Sequence, residues 1–377
     1  MNKFKSITIL LLLMAAVSYG FSDTFTKENK DGAASGLNDF ASQLLYAVPS
    51  DAVQLNNWQD SFIGMLFPSM FPKIGGGFSL GVTKISTSGL KSASESISTG
   101  HQNFLSSINK SAYSLSDATK FTEINFGNIP DNYALPTAAA EIRFGGFWIP
   151  VDWGVSFATS QPSLFNLDFE NFGSVNNSAK TINFEKLNFS TCFDMIDFGA
   201  DMRIRLLKER LVFPSVSFGG GYHFSRGTFC LTSKDNSELS GSSLVQSTDS
   251  QINVAYTAHI AFAQLQFSKN FFFLTFYAGA RGIVTKQENA WNYTYKDELS
   301  DGSSTLQVNS AEDFQTVSSG QEPVSGFIHG TFDLPGVEAQ VYGGLGFNMG
   351  PVELGFGVSY EIRHQIFGAN VALHLKI

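Results

Sequence analysis

From about residue 74 to the last residue, the chain alternates apolar and polar side chains in segment after segment, and the links between segments are alternately very short and long. A period of two is that of a β-strand, whose successive side chains point to opposite faces of the sheet. The pattern places strands near 74–85, 137–147, 151–160, 191–207, 211–227, 251–267, 271–286, 337–348, 352–363 and 369–377. The short links are Trp148–Pro150, Lys208–Arg210, Ser268–Asn270 and Gly350–Pro351. The long ones are 86–136, 161–190, 228–250 and 287–336, and Arg363–Gly368 makes a modest further link on the same side. Such alternation is what an up-and-down antiparallel barrel produces when one rim carries tight turns and the other carries loops. No amphipathic helical pattern interrupts the run from 137 onward, so βαβ units and helix pairs are excluded there.

The two faces of this sheet differ in chemistry. Met202, Ile204 and Leu206 share one parity, while Asp197, Asp201, Arg203 and Arg205 share the other. Val216, Phe218, Tyr222 and Phe224 oppose His223; Ile252, Val254, Tyr256, Ala258, Ile260 and Phe262 oppose Thr257 and His259. Phe272, Leu274 and Phe276 oppose Thr275 and Arg281, and Val352 through Ile362 oppose Glu353, Glu361 and Arg363. Either the apolar face is the core of a soluble barrel, or it faces lipid and the charges face a lumen.

The amino terminus and the composition favour lipid. Lys3 and Lys5, the apolar run Ile7–Val17 and the small residues Ser18 and Gly20 make a secretory signal peptide over 1–20, too short to span a bilayer as a helix. No cysteine ends that run, so lipid attachment as a lipoprotein is not expected. No later run reaches the eighteen or so apolar residues of a spanning helix. Charged residues make up only 15% of the chain, against roughly 25% in ordinary soluble domains, so much of the surface must be apolar. The formal charge of -9 makes nucleic acid an unsuitable partner. The expectation is therefore an all-β fold, a transmembrane antiparallel up-and-down β-barrel of about ten strands with a short N-terminal helical segment, in the outer membrane of a Gram-negative-type bacterium.

Residues 21–73 stand outside the strand pattern. Leu37, Phe40, Ala41, Leu44, Leu45 and Val48 recur at helical spacing after Ser35, a candidate N-cap, and Pro49 is expected to end that helix. Asp51 and Gln54 would then open a second helix presenting Leu55, Trp58, Phe62 and Leu66. Such a pair either plugs the lumen, with Leu45, Trp58 and Phe62 as packing residues, or lies against the inner rim. In architecture it looks like the N-terminal hatch of FadL-like fatty-acid transporters, although no motif of theirs is matched. At the other end Val371, Leu373, Leu375 and Ile377 alternate with Ala372, His374 and Lys376. This resembles the terminal strand by which bacterial outer-membrane β-barrel proteins are recognised for assembly, with Ile in place of the commoner final Phe; the resemblance implies the assembly machinery as a partner alongside the bilayer.

The candidate lumen-lining residues are Asp197, Asp201, Arg203, Arg205, His223, His259, Arg281, Glu353 and Glu361. Asp197, Asp201, His223, His259 and Arg281 fall at similar heights, which fits a paired interior network better than an active site, because buried charges must be neutralised by partners. A passive or ligand-gated pore for a small molecule of unspecified identity is the leading reading; a surface barrel acting through its loops and a barrel-embedded hydrolase are the alternatives. No catalytic residue, metal site or cofactor is assigned. Cys192 and Cys230 flank the Lys208–Arg210 turn on neighbouring strands in an oxidising compartment, so a disulfide between them is open. Register about Glu209–Arg210 leaves them a few residues out of line, so a β-bulge is expected to absorb the offset.

Overall fold

The computed structural model describes residues 27–56, 58–60, 73–107, 129–145, 151–160, 182–183, 189–238, 245–300, 305–308, 324–326 and 337–376. The expected signal segment 1–20, Phe62, the expected Trp148–Pro150 turn, Ile377 and much of the long links lie outside these residues. Helix α1 (Lys27–Gln54) precedes strand β1 (Lys73–Ser86), helix α2 (Ser88–Ser107) and nine further strands. These are β2 (Asn132–Gly145), β3 (Val151–Thr159), β4 (Phe189–Leu207), β5 (Ser215–Glu238), β6 (Val245–Phe271), β7 (Leu274–Ser300), β8 (Val337–Met349), β9 (Val352–Glu361) and β10 (Ile366–Lys376). Three short strands, Ile182–Asn183, Thr305–Val308 and Val324–Gly326, extend the ladder on β4 and β7.

Each of the ten strands pairs antiparallel with its neighbours in sequence, and β10 pairs with β1 from Gly75↔Lys376 to Thr83↔Gly368, closing the ring. Closure leaves no edge strand, the condition for a sheet to sit in hydrocarbon with every backbone group bonded. The outward parity is exposed and apolar: Phe78 and Leu80 on β1, Ile142 on β2, Trp153 on β3, Phe198 on β4, Phe276 on β7, Phe356 on β9 and Leu373 on β10. On β7 this stripe runs from Leu274 to Val284, which at a tilt near 45° covers about 25 Å, the height of a lipid-facing band. An exposed apolar girdle of that height on a closed barrel is the surface of a membrane-spanning protein.

The strands run further than the sequence pattern shows. Residues 228–250 and 287–336 read as loops in the sequence, yet β5, β6 and β7 continue pairing to Glu238↔Val245 and Val245↔Ser300. The sequence there is rich in Ser, Asp, Asn and Thr, so the period of two vanishes while the backbone pairing persists. The inner turns also shift: β4 and β5 are joined by Lys208–Pro214, and β6 and β7 by Phe272–Phe273.

The expected pair of N-terminal helices is one helix. Pro49 lies inside α1, and Ser35 is an exposed residue within it and not its cap. An internal proline costs roughly 3 kcal/mol through the lost N–H bond and ring clash, and contacts from the barrel wall below outweigh it here. Leu55–Asp60 continues as irregular chain, so Trp58 is not helical. Helix α2 occupies the first of the long links, where the sequence pattern indicates a loop. It crosses α1 where Gly36 faces Gly89: a Cβ on Gly89 would lie 2.5 Å from Gly36 O and 2.5 Å from Phe40 N, so only glycine permits this approach.

Candidate functional site

The interior of the barrel is filled by α1 and the Leu55–Asp60 segment, and the wall changes chemistry with height to match. In the upper half Ile252, Val254, Tyr256, Ala258 and Ile260 of β6, Phe229 and Leu231 of β5 and Ile283 of β7 are buried in one cluster with Leu37, Phe40, Leu44 and Val48 of α1. Phe40 and Phe229 rings lie 4.9 Å apart. In the lower half of the same β6 the inward side chains become Gln264, Gln266 and Ser268, all buried, while Leu265 and Phe267 face out. The inward parity is constant; its chemistry inverts near Phe262. That inversion corrects the placement of His259, which is exposed on the outer surface with Thr257 on its parity, its Nδ1 bonded to the Tyr222 hydroxyl at 2.5 Å. The apolar run of upper β6 packs on the helices and does not touch lipid.

The other nominated lumen residues lie on the inner parity, and they divide into separate clusters. Arg143 of β2 joins Asp201 at 2.7 Å and Asp152 at 2.8 Å, and Arg203 reaches the same Asp152 at 3.2 Å. Two guanidinium groups and two carboxylates thus neutralise one another, all of them buried. Arg205 is half-buried just below, beside a register shift between Arg205 and Leu207. Higher up, Asp197 pairs with His223 Nδ1 at 2.8 Å, apart from the arginine cluster. Near the seam His374 sits between Glu141 (2.8 Å) and Glu353 (3.2 Å), while Lys376 bridges Glu353 and Asp60. Trp58 stacks on His374 with centroids 4.1 Å apart, and Tyr46 stacks on His364 at 3.5 Å. Glu361 accepts from the backbone N–H groups of Arg363 and His364, at 2.8 and 2.6 Å, and shapes an outer turn instead of lining the lumen floor.

What ties the plug to the wall is the end of α1. A helix leaves its last four carbonyls without intrahelical partners. Here the barrel supplies two of them, Arg281 Nη1 donating to Val53 O at 2.6 Å and Asn370 Nδ2 to Gln54 O at 3.1 Å, and Gln340 Nε2 donates to Ser50 O, just before the last turn, at 3.4 Å. Arg281 also reaches Asn56 O at 3.0 Å, with its cation 4.0 Å over the Tyr342 ring, and the positive charge suits a helix C-terminus. Gln266 Nε2 donates to both Trp58 O (2.8 Å) and Gln59 O (3.0 Å), and Arg203 to Asp60 O (3.2 Å). Asp51 accepts from Thr83 (2.6 Å), Thr137 (2.5 Å) and Gln54 (2.8 Å). Complete burial nonetheless dominates and pushes its carboxyl up to about 6.

Of the nominated plug residues, Trp58 is fully buried and Leu45 half-buried, while Phe62 lies outside the described residues. Sequence reasoning missed Arg143, Asp152, Glu141, Gln264, Gln266, Gln340 and Asn370. The signal for Glu141 and Arg143 was present, since they alternate with the exposed Ile142 and Phe144. The uncharged amides gave none, because Gln and Asn occur as readily on a solvated face.

Cys192 and Cys230 are register partners joined by a disulfide, their Cα atoms 4.9 Å apart. The one register shift in this hairpin, between Arg205 and Leu207, lies next to the turn and does not bring the cysteines into line. The seven-residue turn Lys208–Pro214 centres the hairpin lower than a two-residue turn would, and the register from Cys192↔Cys230 to Arg205↔Ser217 is continuous.

No family model matches the chain and no curated protein matches it significantly. Among solved structures it is similar to the translocator domain of autotransporter NalP from Neisseria meningitidis, at 10% identity over 81% of this chain and 87% of that one, TM-score 0.32. It is similar to the outer membrane protease OmpT from Escherichia coli at 11% identity, 83% and 98% coverage and TM-score 0.34. It also matches the Ralstonia pickettii toluene transporter TbuX at 10% identity, 81% and 89% coverage and TM-score 0.23. Likeness at these scores carries no argument about activity. The ring of ten paired strands and its lipid-facing girdle define the class directly: this is a transmembrane β-barrel of the bacterial outer-membrane type, with a helical plug.

Proposed function

We propose that the protein is a plugged outer-membrane transporter for a small, largely apolar solute, closed in the state described and opened by release of the segment from Ser50 to Asp60. The observation that carries this is how the plug is held. Its lower end is held by polar contacts, chiefly hydrogen bonds from Arg203, Gln266, Arg281, Gln340 and Asn370 to plug carbonyls, joined by the Asp51 bonds to Thr83 and Thr137, the Lys376–Asp60 ion pair and the Trp58–His374 stack; water can take over polar contacts of this kind when the segment leaves. Displacing the segment would expose a lumen floor already lined with Gln264, Gln266, Gln340, Arg203 and Arg281. Above it, the apolar upper wall would be the receiving surface for an apolar solute. The C-terminal strand, with Val371, Leu373 and Leu375 outward, is the segment we assign to recognition by the assembly machinery.

A second reading, a surface barrel acting through its outer hairpins, is favoured by the disulfide that pins β4 to β5 above the lipid band. Planar-bilayer conductance separates the two. The full chain should be closed, the chain lacking 21–73 should conduct, and the full-length double variant Arg281→Gln/Gln266→Ala should flicker between the two. No current in any of the three removes the transport reading and leaves the surface barrel.

A further inference from the structure

The inner rim is not uniformly polar. On the β4–β5 turn Leu211, Val212 and Phe213 are 96%, 77% and 66% exposed, and Phe271 at the end of β6 with Phe272 and Phe273 of the β6–β7 turn are 51%, 103% and 60% exposed. Turns that face water are normally built from Gly, Asn, Asp and Ser. Phe272 adopts φ +54°, a backbone position that suits Gly or Asn, so an unsuited residue is kept where no described neighbour covers it. The two turns are also fastened together. Lys269 Nζ donates to Arg210 O at 2.5 Å and Leu211 O at 3.1 Å, and Asn270 donates through its backbone N–H and side chain to Glu209 at 3.0 and 2.8 Å. Two separate loops thus make one platform.

We propose that this platform is a membrane wedge that seats in the inner leaflet and takes the headgroups of anionic phospholipid. Two features select this occupant. First, the exposed apolar surface is continuous with the lipid-facing belt, through Leu206 and Leu207 on β4 and Phe267 on β6. Second, the charge is complementary: Glu209 is already engaged by Lys269 and Asn270, while Lys208 and Arg210 stay exposed beside the apolar tips. Aromatic side chains flanked by Lys and Arg mark the headgroup layer of a bilayer. Among the described residues the wedge lies on the β4–β7 side; the β8–β9 turn is the small pair Gly350–Pro351. It acts whether or not the plug opens.

The test uses the full chain in nanodiscs of phosphatidylcholine containing a minor fraction of phosphatidylglycerol, with Phe272→Trp as reporter and Val212→Trp as a second should the first fold poorly. Lipids brominated on the acyl chain serve as quenchers, and the unsubstituted chain supplies the background. The introduced tryptophan should be quenched by brominated lipid, shielded from aqueous acrylamide, and quenched preferentially by brominated phosphatidylglycerol. Adding Lys208→Gln or Arg210→Gln should lower that preference about five-fold per charge removed. Acrylamide quenching with no effect of brominated lipid in both reporters would overturn the wedge and leave a surface for a periplasmic protein. Equal quenching by the two lipids, unchanged by the charge substitutions, would overturn the headgroup assignment.

Discussion

At the scale of single residues, the inward and outward parities carry different penalties. Leu354 faces lipid between buried Glu353 and Gly355, so Leu354→Arg should cost about 2–4 kcal/mol, measured by reversible refolding into vesicles. Thr257 faces outward near the upper edge of the girdle, and Thr257→Arg should cost no more than about 1 kcal/mol. Thr275, by contrast, is buried and bonded to Asn270 and Asn348, so the tolerance its inward parity suggests is absent, and an arginine there would have to displace the packing around it. Asp51 sets a pH dependence. Its carboxyl is held at about 6 in the docked plug against an ordinary 3.8, so docking binds a proton. The contribution is fully present below about 4 and is lost as pH rises through 6, worth up to roughly 3 kcal/mol. Protection of α1 amides from hydrogen exchange should therefore be stronger at pH 4.5 than at pH 7.5, and Asp51→Asn should flatten the difference.

At the scale of elements, the crossing of α1 and α2 depends on two glycines meeting. Gly89→Ala would drive a methyl group into Gly36 O and Phe40 N, both backbone, so one helix must move; a loss of about 1–3 kcal/mol in the thermal unfolding of the helical pair is expected, with the barrel's strand signal unchanged. The disulfide should leave no thiol to label in denatured, unreduced protein, and two after reduction. What the sequence disclosed here follows from chemistry. Strand segments within the lipid band were legible because lipid on one side and the polar lower plug on the other enforce a period of two. The outer ends of β5 to β7, within 228–250 and 287–300, were not, because their sequence is rich in Ser, Asp, Asn and Thr and keeps no period of two. Among its described residues helix α2 offers Leu90, Ala93 and Ile97 as a buried apolar stripe amid serines, which reads as loop. Pro49 is a stop signal by local rules, and the bonds that overrule it come from β7, β8 and β10, more than two hundred residues away. His259 reads as lumenal because the apolar run from Ile252 to Phe262 on the opposite parity resembles a lipid-facing stripe. Only with α1 in place is that run seen to face inward, against Phe40 and its neighbours, which puts His259 outside.

At the scale of the whole molecule, removing 21–73 should leave a closed, heat-modifiable barrel, because the ladder is continuous without it, though one with an apolar upper lumen suddenly wetted. A fluorescent apolar dye should therefore bind the truncated chain and not the full one, a titration that checks the plug's position independently of conductance. If instead deletion abolishes insertion, the plug is part of the folding unit.

The seam between β1 and β10 has one more consequence, in the order of events. Pairing Gly75 with Lys376 joins nearly the two ends of the barrel-forming chain, so the last ladder to be reached during synthesis is the one that closes the ring. Contacts of such sequence separation carry the largest loop-closure entropy and form late. Helix α1 precedes β1 in the chain and packs inside the closed ring, so the seam encloses it. The barrel is thus wound around its own leading segment, and the closing strand acts as a clasp fastened over it.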